Sequence, residues 1–130
     1  MTTETGKTAR RVLVVDDVAV NRKLAAIFLG KMGWQTDGVD GGHAALDWLA
    51  SQPAVDLLLL DISMPDLSGE EVCRQLRANP AFTSLTIVAY TAHAMPADSA
   101  RFMANGFNAV LVKPITVPRL KEVLATLFPD

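Results

Sequence analysis

An α/β domain, a parallel sheet covered by helices on both faces, is the fold this sequence predicts. Three observations carry it. The runs Val12-Leu13-Val14-Val15 and Leu57-Leu58-Leu59-Leu60 are apolar at every position, as central strands buried on both faces are. Strand-like and helix-like segments alternate through five pairs with short connections, an order that calls for crossovers and parallel pairing. Polar residues stand where the apolar runs end, and open α/β sheets gather their chemistry at the carboxyl ends of their strands.

In chain order, the first strand, Val12 to Val15, ends on Asp16-Asp17. The spacing of Leu24, Ala25, Phe28 and Met32 predicts a helix from about Ala19 to Met32, closed by Gly33. Those four residues form its core stripe. Val20, Ala26 and Ile27 fall off the stripe, among Arg22, Lys23 and Lys31, and are expected to be at least partly exposed. Trp34 to Val39 is a second strand, interrupted by Asp37-Gly38. Asp40 is the expected cap of a helix carrying Ala44, Ala45, Leu46, Trp48 and Leu49 and stopping before Pro53. The leucine run, preceded by Val55, is the third strand and ends on Asp61. Pro65 and Gly69 turn the chain, and Ser68 with Glu71 forms a capping box for a helix from Ser68 to Ala78, ended by Asn79-Pro80. Leu85 to Tyr90 is a fourth strand finishing at Thr91, and Pro96 suits the first turn of a helix to Ala104, ended by Asn105-Gly106. Ala109 to Val112 is a fifth strand, ending at Lys113-Pro114. Thr116 caps the last helix, Val117 to Phe128, whose first turn tolerates Pro118.

With 130 residues, the chain is long enough for one domain with a substantial core. Half of it is hydrophobic and its net charge is −2, which makes no case for nucleic acid as a partner. No apolar run approaches the ~20 residues that cross a bilayer, so no membrane role is expected. Met1 to Arg11 is polar without an apolar signal region; residues 1–9 are expected to form a flexible tail and residues 10–130 the domain. The single Cys73 excludes an internal disulfide, suits a reducing cytoplasm, and reads as a small apolar helix residue beside Val72 and Leu76. The sequence stops soon after its fifth helix, so no output domain is expected on it. There is no repeat, low-complexity segment or linker.

If the first, third, fourth and fifth strands are neighbours, Asp16-Asp17, Asp61, Thr91 and Lys113 meet at one edge of the sheet. Three carboxylates there resist ionisation unless a cation joins them. Oxygen ligands without His or Cys favour Mg²⁺ over zinc. A hydroxyl and an ammonium beside such a metal suit a tetrahedral anion, and the set outlines a phosphoryl group on one carboxylate.

From about residue 10 to 128 the sequence resembles the receiver domain of two-component response regulators. The motifs are Asp16-Asp17, the block from Asp61 through Ser63, Met64, Pro65, Asp66 and Ser68 to Gly69, the pair Thr91-Ala92, and Lys113-Pro114-Ile115. Each is common alone; all of them in order at strand ends are specific. Val18 to Arg22 and Thr91 to Met95 look like receivers of hybrid histidine kinases or their single-domain relatives. The resemblance implies a flavodoxin-like, doubly wound domain with strand order 2-1-3-4-5, the order the chemotaxis receivers exemplify. It further implies that Asp61 accepts phosphate from a phosphohistidine of a histidine kinase or histidine phosphotransfer protein. Asp17, Asp61 and the Ser63 carbonyl would bind Mg²⁺, with Asp16 acting largely through water. Thr91, Lys113 and the N–H groups of Ser63 and Ala92 would hold phosphoryl oxygens. Lys113-Pro114 matches a cis peptide of the family that would aim the lysine inward. The implied protein is a phosphoacceptor rather than an enzyme, cytoplasmic, and a monomer or weak dimer. The family also docks the helix after the acidic pair on a helical bundle bearing the donor histidine, which points to Val20 and Ile27 as docking residues.

Separately, these residues have plainer readings: strand-end Asp and Thr cap helices or turns, and a lone Lys is a solvated charge. Asp66 reads as a turn residue. His43 and His93 read as surface residues, although Ser63 and His93 hold places that flank the phosphoryl group in the family. One position departs from the pattern: three residues before the lysine, where receivers carry the aromatic that responds to the switch threonine Thr91, stands Val110. Tyr90 is expected on the opposite sheet face from Thr91. Three rivals remain: a docking module that is never phosphorylated, a flavodoxin-like carrier, and an aspartyl phosphatase. The carrier lacks a phosphate loop after the first strand. A phosphatase of the haloacid-dehalogenase type needs a second Asp where Ser63 stands.

Overall fold

The computed structural model describes residues 10–52, 54–92 and 94–129. The expected tail at residues 1–9, and His93, lie outside the described residues. Strands β1 (Arg11–Val15), β2 (Gln35–Val39), β3 (Leu57–Asp61), β4 (Thr86–Thr91) and β5 (Ala109–Val112) alternate with helices α1 (Ala19–Lys31), α2 (Gly42–Ser51), α3 (Gly69–Arg77), α4 (Pro96–Ala104) and α5 (Val117–Leu127). A short 3₁₀ turn, Pro80–Phe82, joins α3 to β4. All pairings are parallel and the sheet order is β2-β1-β3-β4-β5, as expected.

The leucine run explains the layering. All five residues of β3 are buried, Leu58 and Leu60 on one face and Leu57 and Leu59 on the other. The first face packs against Ala45 and Leu49 of α2, Val72, Cys73 and Leu76 of α3, and Phe102 of α4. The second packs against Ala25 and Leu29 of α1 and Leu120, Val123 and Leu124 of α5. Cys73 is a buried core residue, as its neighbours suggested.

Three expectations need correction. The inner stripe of α1 is centred on Ala25 and Leu29; Leu24, Phe28 and Met32 flank it, partly buried. Asp40 does not cap α2. Gly41 is the capping residue, and the carboxylate of Asp66 supplies the acceptors, taking the N–H groups of Gly42 at 3.1 Å and His43 at 3.0 Å. Those bonds hold the Asp66 carboxyl below its ordinary pKa, the one from His43 most. The caps of α3 and α5 are as expected: Ser68 Oγ accepts from Glu71 N and Thr116 Oγ1 from Arg119 N. Glu71 does not complete a reciprocal box; its carboxylate pairs with Arg74 and Gln75.

At the amino ends of β4 and β5, Arg77 gathers acceptors from the neighbouring loops. Its guanidinium donates to Gly106 O at 2.9 and 2.8 Å, Phe82 O at 3.0 Å, Leu85 O at 2.8 Å and Asn108 Oδ1 at 3.0 Å.

Candidate phosphoryl-acceptor and metal site

Strand length and register place the polar residues. β1 stops at Val15, so the next residue, Asp16, sits at its carboxyl end, anchored by Asp16 N donating to Val39 O at 3.2 Å. Its side chain folds back as Oδ1 accepts from Val18 N at 2.8 Å, an Asx turn that leads into α1. Arg22 of α1 reaches back and donates to Asp16 O at 2.8 Å. Asp61 is the last residue of β3 and Thr91 the last of β4, both buried. Lys113 follows β5, its N–H donating to Thr91 O at 2.8 Å, and the Lys113-Pro114 bond is cis.

Carboxylate oxygens of Asp16, Asp17 and Asp61 lie within 4.8 Å of one another. Asp16 and Asp61 are 0% and 2% exposed, whereas Asp17 is exposed. The Lys113 ammonium stands 3.1 Å from both Asp16 Oδ2 and Asp61 Oδ1. Asp61 Oδ1 also accepts from Ser63 N at 3.3 Å. Burial pushes the Asp61 carboxyl up to about 6, against the pull of Lys113; the Asp16 charge adds to the rise and the Ser63 N–H opposes it. The group is therefore mostly ionised at neutral pH, its charge facing the Lys113 ammonium.

The donor set fits a hard cation. Asp16 Oδ2 is fully buried and makes no hydrogen bond of proper geometry, its ammonium neighbour notwithstanding. A buried carboxylate oxygen left in that state is costly unless a cation takes it up. Oxygen-only ligands with an exposed member, Asp17, leave room for the waters that Mg²⁺ retains.

The structure thus brings together Asp16, Asp17, Asp61, Lys113 and the Ser63 N–H. Thr91 and the exposed Ala92 lie one strand over, at the end of β4. Val110 stands opposite Ala89 and packs, partly buried, with the α2–α3–α4 cluster. Tyr90 is on the other face, in the α1–α5 cluster, as alternation predicted. Val20 and Ile27 are 73% and 47% exposed on α1. His43 is exposed and contributes only its backbone N–H to the α2 cap. Sequence reasoning placed Tyr90 by face but not by neighbour: Lys113 Nζ lies over its ring, 4.7 Å from the centroid.

Residues 12–125 match the family model described as the response regulator receiver domain. The chain is 35% identical over 121 residues to the polar-differentiation response regulator DivK of Brucella anthropi, covering 93% of this chain and 98% of that one. Chemotaxis protein CheY4 of Vibrio cholerae has the same fold, with a TM-score of 0.86 at 24% identity over 93% of this chain and 100% of that one. A response regulator receiver protein from Pseudomonas putida gives a TM-score of 0.82 at 29% identity, covering 92% and 98%.

Proposed function

The chain belongs to the response regulator receiver family of two-component signalling, and on that premise we propose that it accepts a phosphoryl group on Asp61 from a phosphohistidine of a histidine kinase or histidine phosphotransfer protein. The observation that carries this reading is the convergence of three carboxylates and one ammonium at the carboxyl ends of β1, β3 and β5. In the transfer, a carboxylate oxygen of Asp61 forms the new bond to phosphorus as the bond from phosphorus to the donor imidazole breaks, and the imidazole keeps the electron pair. Asp61 supplies the nucleophile in its ionised form, which its raised pKa of about 6 permits at neutral pH.

Asp16, Asp17, Asp61 and the Ser63 carbonyl would hold Mg²⁺, which supplies charge neutralisation and alignment of the phosphoryl oxygens. Lys113 balances the charge of Asp61 before transfer and holds a phosphoryl oxygen after it. Thr91 and the N–H groups of Ser63 and Ala92 serve the remaining oxygens. Thr91 and Val110 are the switch positions, with an aliphatic side chain where the family carries an aromatic. The docking surface is α1, through Val20 and Ile27. The protein works as a phosphoacceptor rather than an enzyme on external substrates, in the cytoplasm, as a monomer or weak dimer, without nucleic acid or membrane as a partner. Among the described residues no helix is long and apolar enough to cross a membrane.

The test is mass spectrometry after treatment with Mg²⁺ and acetyl phosphate. One acid-stable, base-labile phosphoryl group is expected on wild-type protein and none on Asp61→Asn. An unchanged shift in the variant would refute Asp61 as acceptor. Phosphotransfer profiling against histidine kinases and phosphotransfer proteins then identifies the donor.

A further inference from the structure

We infer that Tyr90 is a positioning residue for phosphoryl transfer at Asp61, its ring seating the Lys113 ammonium against the Asp16 and Asp61 carboxylates. The inference rests on the phosphoacceptor reading above. It begins with the register of the sheet: Asp61 of β3 stands opposite Tyr90 of β4, and Tyr90 opposite Leu111 of β5. Two residues beyond Leu111, alternation returns Lys113 to the same face. Tyr90 therefore occupies the place between the acceptor and the strand that delivers the lysine.

The contacts agree with the register. Tyr90 is 1% exposed and fixed among the α1–α5 core residues, and Ile62 N donates to its carbonyl at 3.2 Å, tying it to the end of β3. Among the described residues the ammonium thus stands against the aromatic face at 4.7 Å and one oxygen each of Asp16 and Asp61 at 3.1 Å. A cation over a ring is attracted to its negative face, more strongly where water is excluded. Burial, with the Asp16 and Asp61 charges adding to it, pushes the phenol up to about 12, so the ring stays neutral at physiological pH.

Charge explains why the ring is needed. Lys113 hangs on a flexible four-carbon stem, and its two carboxylate neighbours are the groups whose charge a bound cation would take up. Their hold on the ammonium weakens at that moment, whereas the hold of the ring does not. A leucine at the same position would fill the core without offering a face.

The experiment compares Tyr90→Phe with Tyr90→Leu, each alone and combined with Lys113→Ala, with melting temperature and amide NMR spectra confirming the fold. The first readout, on metal-free protein, is the upfield ring-current shift of the Lys113 Hε protons. The second is the maximal rate and half-saturating concentration of Asp61 labelling by acetyl phosphate with Mg²⁺. Tyr90→Phe should keep the shift and the rate. Tyr90→Leu should lose the shift and lower the maximal rate about five- to tenfold, with the half-saturating concentration little changed. In the Lys113→Ala background it should add no further loss. Equal rates in the Phe and Leu variants would overturn the inference, as would a Leu effect undiminished without Lys113, which would make the ring a packing residue. A missing upfield shift in wild-type protein would overturn it whatever the variants do. No label on wild-type protein would refute the phosphoacceptor reading and this inference together; label unaffected by Tyr90→Leu would refute this inference alone.

Discussion

Gly69 lies so close to Asp61 that a Cβ on the glycine would stand 2.3 Å from the Asp61 carbonyl oxygen and 2.9 Å from Ile62 Cα. The first turn of α3 is thus pressed against the backbone of Asp61, with Gly69 N donating to Ile62 O at 2.9 Å. Both obstacles are main-chain atoms and cannot swing aside. Gly69→Ala should therefore displace the end of β3, cost about 1–3 kcal/mol of stability in urea unfolding, and slow Asp61 labelling beyond what the stability loss alone would cause.

Mg²⁺ should stabilise the fold, by an amount that depends on pH. Burial raises the Asp61 pKa from 3.8 to about 6, so the folded state holds that proton more tightly than the unfolded chain does. The group's contribution to metal-free stability is full below pH ~4 and is lost as pH rises through ~6. Mg²⁺ binds the ionised carboxylates, so its gain in melting temperature should be small at pH 5 and large at pH 8. Asp17→Asn should blunt that gain while leaving the metal-free fold intact. Equal Mg²⁺ affinity in the variant and wild type would remove Asp17 from the ligand set.

Asp66→Ala should lower the melting temperature at pH 7 by uncapping α2, and Asp66→Asn should recover part of the loss. Hydrogen bonds from His43 N and Gly42 N depress the Asp66 pKa below 3.8. The stability it contributes is present above that value and lost as pH falls through the depressed one. The difference between Asp66→Ala and wild type should accordingly shrink in strong acid, as thermal melts across pH 2–7 would record.

What was legible in the sequence is what local chemistry dictates. Leu57 to Leu60 announced a strand with two buried faces, and the carboxylate ending it followed at once as a site residue. Ser68 and Thr116 were readable as caps because each bonds an N–H three residues on. Asp66 was not, because the N–H groups it caps lie 24 and 23 residues away. Leu29 was missed because two stripes fit the helical spacing of α1, and only packing on the sheet chooses Ala25 and Leu29. The Arg77 carbonyl cluster and the seat of Lys113 over Tyr90 are also products of tertiary register. Nothing within a few residues of either announces them.

Val110 sets an expectation for the response to phosphorylation. An added phosphoryl group brings about −1.5 to −2 charges, but a distant shift needs a two-state element that it biases. Val110, opposite Ala89 and partly buried, offers no ring to turn inward. In NMR spectra of beryllofluoride-treated protein, α4 should shift less than the loops after β1 and β3. A large rearrangement centred on α4 would mean that another group carries the change.

Ile27 tests the docking surface. It lies seven residues, about two helical turns, after Val20, so the two share a face of α1, and both are exposed. α1 begins just after Asp16-Asp17, which puts the start of that helix beside Asp61. Lys23 and Lys31, also exposed on α1, bring positive charge to the same helix. Apolar side chains near a charged rim suit a helix-on-helix contact. Because Ile27 is outside the core, Ile27→Glu should fold normally and take phosphate from acetyl phosphate at the wild-type rate. Transfer from the cognate phosphohistidine protein should slow by more than about tenfold, since a carboxylate at the centre of such a contact is buried unpaired. Equal transfer rates in variant and wild type would place docking elsewhere, and a fall in melting temperature would show that Ile27 supports the fold.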